Sequence, residues 1–468
     1  MSTEDKNDLM DKLIALCKRR GFIFPGSDIY GGLANSWDYG PLGAQLKKNI
    51  KDEWWRRFVE RRSDMVGLDA AIIMNSKVWE ASGHLKTFSD PLIECKKCHE
   101  RFRADNVTDI DHCPSCKAEK SFTEAKQFNL MLKTSLGPKE DTSSEVYLRP
   151  EIAQAMFVNF KNVLDTSRRR LPFGIASQGR AFRNEITPGN FIFRQREFDL
   201  MEFEYFVRES DWEKYFEYWL SEMKQWLRDL GVRDEKLHFV EIPPEDRAHY
   251  SKRTVDVEYD YPFGKKELYG LAYRGDFDLT SHMGASHTDL QYLDPETNER
   301  FIPHVIEPSF GLDRSVLVTL LEAYTEDPPS PEASEGQVAA KGRIYLKLPA
   351  WVAPYKVAVF PLLANKPALV EKAREVYEGL RTKNFGQIAW DDRGNVGKRY
   401  YAQDEIGTPF CITVDFETLG DGSTSSPQGE GGGSDKIDTV TVRDRDTMKQ
   451  DRVKISDLTE YLSSRLRQ

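Results

Sequence analysis

The segment spanning residues 179–206 carries arginine, glutamate and phenylalanine side chains at spacings suited to binding a nucleoside triphosphate. Arg183 and Arg194 each offer a guanidinium fork, which bonds phosphate oxygens in pairs. Phe198 offers an aromatic face on which a purine stacks, and Glu185 offers a carboxylate that accepts a hydrogen bond from an exocyclic amine. These residue types predict a nucleotide site. The open alternative is a half-exposed hairpin whose charges only form cross-strand ion pairs.

An antiparallel pair of strands is needed to bring these side chains together. Residues two apart on an extended strand share a face, so Arg183 and Glu185 project to one side. Residues 187–190 read Thr-Pro-Gly-Asn, which is typical of a turn. A second alternation of charged and aromatic residues follows over residues 194–206, where Phe198, Glu202 and Glu204 share a face. The sequence therefore predicts a β-hairpin with both arginines on its concave side.

Two motifs resemble those of the class II aminoacyl-tRNA synthetases. Residues 182–185 (Phe-Arg-Asn-Glu) together with residues 194–198 (Arg-Gln-Arg-Glu-Phe) resemble motif 2 of that family, and residues 306–314 resemble its motif 3. An apolar run over residues 315–321 follows, as expected of a buried helix. Either motif is weak by itself, but two in the right order, each with an arginine, form a specific joint signal. The resemblance implies an α+β fold, with an antiparallel β-sheet catalytic domain flanked by helices.

Four further segments resemble the glycyl-tRNA synthetases of the single-chain, homodimeric type. They are residues 30–43, 78–84, 147–151 and 442–446, so the resemblance covers nearly the whole chain. It implies a homodimeric ligase that uses ATP to convert glycine to glycyl-adenylate, releases pyrophosphate, and transfers glycine to the 3' end of tRNA(Gly). One departure concerns motif 1, since residues 42–74 lack the proline of the class II pattern. Motif 1 is therefore a weaker identifier here, although the implied dimer stands.

The resemblance also assigns an ATP site. Arg183 is implied to meet the α-phosphate and Arg314 the γ-phosphate, and these two are the implied catalytic residues. Phe198 is implied to stack on adenine, while Glu267 lies beside the triphosphate as a ligand of Mg²⁺. The full set implied for ATP is Arg183, Asn184, Glu185, Phe193, Arg194, Phe198, Glu267, Leu268, Gly311 and Arg314. No general base is required, because an amino acid carboxylate is already a nucleophile at neutral pH and catalysis reduces to positioning and charge neutralisation.

Glycine recognition is a separate physical problem, because glycine has no side chain to attract. A selective pocket must reject a methyl group by leaving no room for it, and carboxylates that bind the ammonium also crowd the α-carbon. The resemblance implies a pocket formed by Arg103, Glu151, Phe198, Glu202, Glu307, Ser309 and Gly311. Residues 274–282 are expected to line the same cleft. The histidines of this region are interpreted as buried core residues without a catalytic role: His84, His282, His287 and His304.

Four cysteines have the spacing of a structural zinc site. The two Cys-x2-Cys pairs, separated by fourteen residues, are Cys95 with Cys98 and Cys113 with Cys116. Four thiolates complete the tetrahedral coordination of Zn²⁺, so this metal would organise a zinc-ribbon-like insertion at about residues 92–120 and would not catalyse. The hypothesis is that the insertion positions Arg103 or reaches the tRNA acceptor stem. The alternative is a pair of free or redox-active dithiols.

Composition divides the chain into two domains. Residues 326–342 are rich in Pro, Ser, Glu and Ala without periodicity, as linkers are. They separate a catalytic domain, residues 1–340, from a C-terminal domain, residues 341–468, in which buried-strand runs alternate with a helix over residues 367–383. The second unit resembles the α/β anticodon-binding domain of class IIa synthetases. Residues 421–435 interrupt it with a Gly- and Ser-rich stretch that predicts a flexible surface loop.

The overall composition is that of a multidomain globular protein. The 468 residues are too many for one ordinary core, and 39% are hydrophobic while 30% are charged. No apolar run is long enough to span a membrane and no secretory signal is visible, which predicts a cytosolic protein. The formal net charge of −10 opposes nucleic-acid binding by bulk electrostatics, so tRNA requires local basic patches. The candidates are residues 168–170, Lys398 with Arg399, and Arg443 with Arg445; an ordinary solvated face is the alternative for each.

Two other functions are open alternatives. Another class IIa aminoacyl-tRNA synthetase would share both motifs and the C-terminal domain, but it is opposed by the segments at residues 30–43 and 78–84. A non-catalytic, nucleic-acid-binding relative of the synthetases would have no physical need to keep the full set of ATP-site side chains. Exchange of pyrophosphate into ATP, measured with a panel of amino acids, separates the three.

Overall fold

Two β-sheets and the helices packed on them organise the chain in the computed structural model, which describes residues 3–138, 144–186, 189–328, 342–383, 385–420 and 437–466. Some predicted features fall outside that part of the chain. They are the first half of the predicted turn (residues 187–188), most of the predicted linker (residues 329–341) and the predicted loop at residues 421–435.

The helices bury apolar stripes against the sheets and expose polar residues, as amphipathic helices do. No helix in the described residues is both long and apolar enough to cross a membrane. Residues 153–167 form two helices that meet at Asn159, which ends one helix and begins the next. The helices are α1 (Thr3–Arg20), α2 (Pro41–Trp55), α3 (Ser76–Ala81), α4 (His84–Thr87), α5 (Ala153–Val158), α6 (Phe160–Ser167), α7 (Trp212–Asp229), α8 (Phe277–Ser286), α9 (Leu312–Ala323), α10 (Pro367–Arg381), α11 (Val396–Glu405) and α12 (Leu458–Leu466).

The strands form two large sheets and several smaller ones. They are β1 (Ile23–Pro25), β2 (Trp37–Tyr39), β3 (Met65–Gly67), β4 (Ser89–Glu94), β5 (Arg101–Arg103), β6 (Lys126–Asn129), β7 (Lys133–Ser135), β8 (Glu145–Tyr147), β9 (Phe173–Phe182), β10 (Glu197–Val207), β11 (Leu237–Glu241), β12 (Arg253–Tyr261), β13 (Gly264–Gly275), β14 (Tyr292–Leu293), β15 (Arg300–Phe301), β16 (His304–Gly311), β17 (Tyr324–Asp327), β18 (Arg343–Leu346), β19 (Val357–Pro361), β20 (Ile388–Trp390), β21 (Phe410–Val414), β22 (Thr439–Asp444) and β23 (Gln450–Lys454).

The main sheet has seven strands in the order β11-β12-β13-β16-β10-β9-β3, and only β3 runs parallel to its neighbour. One face packs on α2, α7 and α9 through a core of large aromatic side chains, among them Trp54, Phe203 and Trp219. The opposite face carries carboxylates on β10 and β16. This division follows the alternation of side chains along each strand, and it leaves one face of the sheet for polar chemistry.

The predicted hairpin is the β9–β10 pair, with Phe182 opposite Glu197 and Gly179 opposite Leu200. The second strand begins at Glu197, three residues later than predicted, because residues 191–193 form a turn of 3-10 helix that buries Phe191 and Phe193. The predicted helix over residues 315–321 lies inside α9, which is buried on nearly all sides. An all-round apolar sequence is therefore explained by all-round burial.

The insertion between α4 and α5 contains a small antiparallel sheet in the order β5-β4-β6. Arg103 is the last residue of β5 and lies opposite Leu92 of β4. The cysteine pairs sit in the turns beyond β4 and between β5 and β6. The sheet thus connects the cysteine-bearing turns to the main body of the protein.

The C-terminal sheet has the order β20-β19-β21-β22-β23 and a core of its own under α10 and α12. Its first three strands are parallel and the last two antiparallel. The predicted linker is wrong at its first two residues, since Glu326 and Asp327 pair with Ile344 and Arg343 as part of the β17–β18 ladder. The α+β class predicted from the sequence is confirmed.

Candidate active site

A cavity of about 340 Å³ lies on the carboxylate-bearing face of the main sheet, beside the β9–β10 hairpin. The register of the strands brings the lining residues of this cavity together. Glu202 of β10 lies directly opposite Ser309 of β16, and Gly311 is the last residue of β16, where α9 begins. The hairpin, β13 and the start of α9 therefore converge on one space. Nine of the ten residues predicted for ATP line it: Arg183, Glu185, Phe193, Arg194, Phe198, Glu267, Leu268, Gly311 and Arg314.

Asn184 is the predicted residue that does not line this cavity. Its backbone N–H donates to the carbonyl oxygen of Leu130 at 2.8 Å. Because the chain has already left the β9 ladder at Phe182, the simple alternation assumed for residues 183–185 no longer applies. Asn184 is thus placed by a loop contact.

Arg183 is held in a way that leaves its charge available. Its guanidinium carbon lies 5.2 Å from the ring centroids of both Phe88 and Phe198, and its Nε donates to the carbonyl oxygen of Pro150 at 3.1 Å. Contacts with aromatic faces orient an arginine without neutralising it. The cation is therefore preorganised for an anionic ligand.

Arg314 has a carboxylate partner. Its Nη1 donates to the carbonyl oxygen of Glu267 at 2.9 Å and lies 3.2 Å from the Oε2 of the same residue, while the guanidinium covers the Phe193 ring at 4.5 Å. Burial by itself raises the pKa of Glu267, but the positive charge of Arg314 outweighs burial and lowers it. Glu267 is therefore an ionised carboxylate beside the cation.

A buried ion network fixes the floor of the cavity. Lys47 of α2 lies 2.6 Å from a carboxylate oxygen of Asp199 and 2.6 Å from one of Asp313, and the backbone N–H of Asp199 donates to Asp313 at 2.7 Å. Asp199 belongs to β10, and Asp313 precedes Arg314 in the first turn of α9. The network therefore holds the hairpin and the start of α9 to the same helix.

A second cavity, of about 310 Å³, adjoins the first. It is lined by four residues of the predicted glycine pocket, Glu151, Glu202, Glu307 and Ser309. Two further members, Phe198 and Gly311, line only the first cavity. Both cavities share Arg183, Glu202, Glu267 and Ser309 in their walls. The two spaces are therefore arms of one site, and an arginine stands at their junction.

The carboxyl groups of the second cavity differ in charge. Burial, together with repulsion by Glu307, raises the pKa of Glu202 to about 8, and burial raises the pKa of Glu307 to about 7 in spite of its arginine partner, Arg274. Burial also raises the pKa of Glu151, but the charges of His84 and Arg274 outweigh it and bring that pKa well below its usual range. A cationic ligand placed among these carboxyl groups would favour their ionised forms.

Sequence reasoning missed Tyr250, and it included Arg274 only within a segment expected to line the cleft. Tyr250 lines the second cavity, whereas Arg274 is fully buried and bonds Glu307 and Asp278. The prediction that residues 274–282 line the cleft is wrong, because this segment lies behind the cavity wall. The sequence signal for Arg274 was its place in that segment: Asp278 lies four positions away, but Glu307 is thirty-three positions distant.

Three of the four histidines are buried core residues, as interpreted. His84 lies 3.3 Å from Glu151, and His282 contacts Gln154 at 2.8 Å. His304 bonds to the hydroxyl of Tyr273. His287 is exposed in a left-handed C-cap at φ 56°, so its assignment to the core was wrong.

The insertion brings one predicted residue to the first cavity. Arg103 lines it, with Nη1 2.9 Å from Asp90 and Nη2 2.6 Å from Asp105. Both carboxylates belong to the same insertion, so the arginine is oriented from within it. Through Arg103, the insertion forms part of the wall of the first cavity.

The four cysteine sulfurs form a compact cluster, all within 4.8 Å of one another. The Cys95 and Cys116 sulfurs are 3.6 Å apart, and those of Cys98 and Cys113 are 3.7 Å apart. A tetrahedral Zn²⁺ with bonds of about 2.3 Å would hold its sulfurs about 3.8 Å apart. The donor set and spacing therefore fit zinc.

The two cysteine-bearing turns have the same backbone geometry. The N–H of the residue four positions after Cys95 or Cys113 donates to that cysteine's carbonyl, at 2.8 Å from His99 and 2.9 Å from Lys117. Both donors adopt φ near 60°, with 58° for His99 and 59° for Lys117. The two Cys-x2-Cys pairs therefore lie in two equivalent turns.

The arginines of two predicted basic patches are buried, although Lys398 beside Arg399 is exposed. Arg399, Arg443 and Arg445 are 1%, 6% and 3% exposed. Arg443 forms two bonds to Asp404 at 2.8 and 2.9 Å, and Arg445 donates to the carbonyl oxygens of Gly407 and Leu348. Burial of a cation requires such partners. These three arginines are structural, which excludes both the tRNA patch and the solvated face predicted for them.

The remaining patch lies at the surface beyond α6. Arg170 is 67% exposed, with Glu296 at 2.9 Å, and Arg169 donates to the carbonyl oxygen of Ser63. An exposed ion pair of this kind contributes little to stability. Residues 168–170 thus stay available to a polyanion.

Comparison with known proteins gives a consistent result. Residues 133–324 match the tRNA synthetase class II core domain (G, H, P, S and T), and residues 356–465 match the anticodon binding domain. Glycine–tRNA ligases of Thermobifida fusca and Streptomyces coelicolor are 48% and 49% identical to the chain, each over 98% of it and 99% of the relative. That of Geobacillus thermodenitrificans is 47% identical over 99% of both.

Proposed function

This chain belongs to the glycine–tRNA ligase family, and from that premise we propose how its own residues join glycine to tRNA. The observation that carries the proposal is the two-armed site. One arm has arginines and an aromatic ring, the other has buried carboxylates, and the arms meet at Arg183. A nucleoside triphosphate fits the first arm and a small ammonium compound the second, so the carboxylate of glycine would meet the α-phosphate at the junction.

The first step needs positioning and charge neutralisation. The glycine carboxylate attacks the α-phosphorus of ATP, the bond to pyrophosphate breaks, and glycyl-adenylate forms. Arg183, oriented by two aromatic rings, faces the α-phosphate, and Arg314, at the start of α9, takes the γ-phosphate. Both act by stabilising negative charge that grows on the phosphates. A hydroxyl at the 3' end of tRNA(Gly) then attacks the glycyl carbonyl, the bond to the phosphate breaks, and AMP leaves.

Adenine binding is assigned to the inner part of the first arm. Phe198 offers a ring for stacking, and Glu185 and Arg194 form a loose pair at 3.9 Å on the same wall. Asn184, Phe193, Leu268 and Gly311 complete the proposed ATP set, with Asn184 acting from the loop. Mg²⁺ when bound neutralises phosphate charge. Glu267 is the proposed ligand of this ion. Arg314 engages Oε2 of Glu267, whereas Oε1 of Glu267 and Oδ1 of Asp256 both lie near Gly270. Each of these two oxygens would be 3.9 Å from a Cβ built on that glycine, so two oxygen donors face the same space.

Glycine is proposed to bind with its ammonium among Glu151, Glu202 and Glu307. Ser309 donates to Glu202, which holds that carboxyl against β16. Arg103, Phe198 and Gly311 would close the side toward ATP. A methyl group on the α-carbon would meet the same carboxylates, so binding and exclusion come from one set of side chains.

A single experiment tests the proposed function. Pyrophosphate exchange into ATP is measured with a panel of amino acids, followed by charging of tRNA. Exchange with glycine alone, and charging of tRNA(Gly), is the expected result. Exchange with another amino acid, or with none, would reject the proposal.

Zinc is proposed as the metal of the four-cysteine cluster. Purified protein should contain about one zinc per chain, because the four sulfurs lie within 4.8 Å of one another and can close on a tetrahedral ion. Elemental analysis measures this directly. Cys113→Ser should lose the metal and raise the KM for ATP by displacing Arg103, whereas Cys17→Ser, outside the cluster, should keep it. A metal-free protein with an intact insertion would contradict the assignment.

Glycine binding is expected to release protons. Glu202, with its pKa at about 8, carries a proton at pH 7, and an ammonium group nearby favours its ionised form. The affinity for glycine should therefore rise with pH up to about 8. Calorimetric titration at pH 7, in buffers of different ionisation enthalpy, measures the protons released.

The comparison variant is Glu202→Gln, which has similar shape but no titrating proton and should release fewer protons than the native chain. Glu217→Gln lies at an exposed ion pair remote from the cavity and should release as many. Binding with no net proton release in the native protein would contradict this account.

A cytosolic homodimer is proposed as the working form. Ile29, Tyr30 and Leu33 are 88%, 87% and 65% exposed, and apolar side chains grouped this way favour burial by a second copy. Four thiols held unpaired for a metal are the state expected in a reducing compartment. Light scattering should give twice the mass of one chain.

A further inference from the structure

A buried guanidinium stands behind the glycine arm of the site. Arg274 is fully buried, and none of its atoms lines either cavity. Its Nε and Nη2 donate to the two oxygens of Asp278 at 2.7 and 2.8 Å, and its Nη1 donates to Oε2 of Glu307 at 2.8 Å. One planar fork therefore fixes two carboxylates at once.

The same cluster reaches the other side of the cavity through Gln154. Its amide nitrogen donates to Glu151 at 3.0 Å and to Asp278 at 2.9 Å, and its oxygen contacts His282 at 2.8 Å. Nη2 of Arg274 also lies 4.0 Å from Glu151. The orientation of Glu151 therefore depends on the same arginine, through Asp278 and Gln154.

Aromatic rings set the plane of the guanidinium. Its central carbon is 3.6 Å from the ring centroid of Tyr250 and 5.2 Å from that of Phe157. Tyr250 lines the second cavity, so Arg274 stacks on a ring that forms part of the cavity wall. Lysine cannot reproduce this arrangement, because an ammonium has neither a plane to stack nor a fork to bond two carboxylates.

We propose that Arg274, stacked on Tyr250, is a positioning residue that sets the discrimination between glycine and alanine. The inference rests on the proposed function. Bonding of Oε2 to Arg274 fixes the rotation of the Glu307 carboxylate, and thereby the direction of its other oxygen. A pocket that excludes a methyl group only by close contact needs side chains that keep a fixed orientation. Without the bond to Arg274, the carboxylate of Glu307 could rotate and make room for the methyl group of alanine.

The test compares Arg274→Lys with the full native chain in pyrophosphate exchange. The kcat/KM for glycine should fall by about a hundredfold, as expected when a binding group is misplaced by about 1 Å. The ratio of kcat/KM for glycine over alanine should fall at least about tenfold, within the range that one methyl group provides. The KM for ATP should stay within about twofold, since the ATP arm is not touched.

Arg253→Lys is the matched control. Arg253 also has two carboxylate partners, Glu241 at 3.1 Å and Glu217 at 2.8 Å, and also covers a ring, that of Phe216 at 4.2 Å. It lines neither cavity, so its replacement should leave the glycine over alanine ratio unchanged. A similar loss in this control would mean that any such arginine affects activity, and would overturn the specific role of Arg274.

A second variant keeps the inference testable if Arg274→Lys does not fold. Tyr250→Leu retains the buried cation and removes only the stacking ring, and it should also lower the glycine over alanine ratio. A native ratio in a folded Arg274→Lys protein, or in Tyr250→Leu, would overturn the inference. If the native chain itself shows no exchange with glycine, it is the proposed function that fails.

Discussion

Arg183→Ala should lower glycine-dependent pyrophosphate exchange by roughly a hundredfold to a thousandfold, the usual effect of losing one donor that stabilises transition-state charge. Arg183 lines both arms of the site, whereas Arg103, Arg194 and Arg314 line only the first, so its position at the junction is not duplicated among them. The fold should persist, because the side chain makes one hydrogen bond to a backbone carbonyl and otherwise rests between two rings. Exchange kinetics measure the loss of activity, and the melting temperature measures whether the fold persists.

Arg196→Ala is the matched control for that change. Arg196 belongs to the same hairpin, lines neither cavity, and donates to the carbonyl oxygen of Ala34 at 3.2 Å. Its removal should leave exchange near the native rate. Near-native exchange in Arg183→Ala would reject the assignment of this arginine to the α-phosphate.

Asp404→Ala should destabilise the C-terminal domain by about 3 to 5 kcal/mol, the cost of leaving a buried cation without its partner. Asp404 is 1% exposed and bonds Arg443 through both oxygens and Arg343 at 3.3 Å. Its loss would remove the carboxylate that both Nη groups of Arg443 bond, whereas Arg343 would keep Asp327 at 3.1 Å. Amide hydrogen exchange in β21 and β22 should accelerate, while that in β9 and β10 should not.

This change should also separate the two reactions. Exchange needs only the catalytic body and should be kept, whereas charging of tRNA should fall because it also needs the anticodon-binding domain. Asp446→Ala is the control: Asp446 is 34% exposed, and Arg445 retains its two backbone carbonyl partners without it. A loss of about 1 kcal/mol or less is expected there. Equal effects of the two variants would contradict the account.

The hairpin was predictable because it follows from residues close together in the sequence: two runs of alternating side chains and the turn between them. Alternation along β10 fixes that Phe198 and Glu202 share a face, and the structure places both in the wall of the first cavity. The start of β10 was less predictable. Burial of Phe191 and Phe193 in the main core holds a helical turn where the sequence alone favoured a strand.

Buried arginines mark the limit of sequence reasoning in this chain. The pattern around Arg443 and Arg445 is typical of a basic surface, and the carboxylate that buries Arg443 lies on α11, thirty-nine positions away. Arg274 is a similar case, since Glu307 is thirty-three positions distant. Whether a cation is solvated or enclosed depends on partners that only tertiary structure supplies.

The shared wall between the two arms has a consequence for ligands. Because Arg183, Glu202, Glu267 and Ser309 face both spaces, a single molecule joining an adenosine moiety to an amino-bearing tail would occupy both without crossing a barrier. Such a tethered compound loses its freedom of motion once, whereas two separate molecules lose it twice. A hydrolysis-resistant mimic of this kind should therefore inhibit far more strongly than either half. Its terminal amine would lie among the carboxylates of the second cavity, so adding substituents beside that amine would measure how much space the cavity leaves.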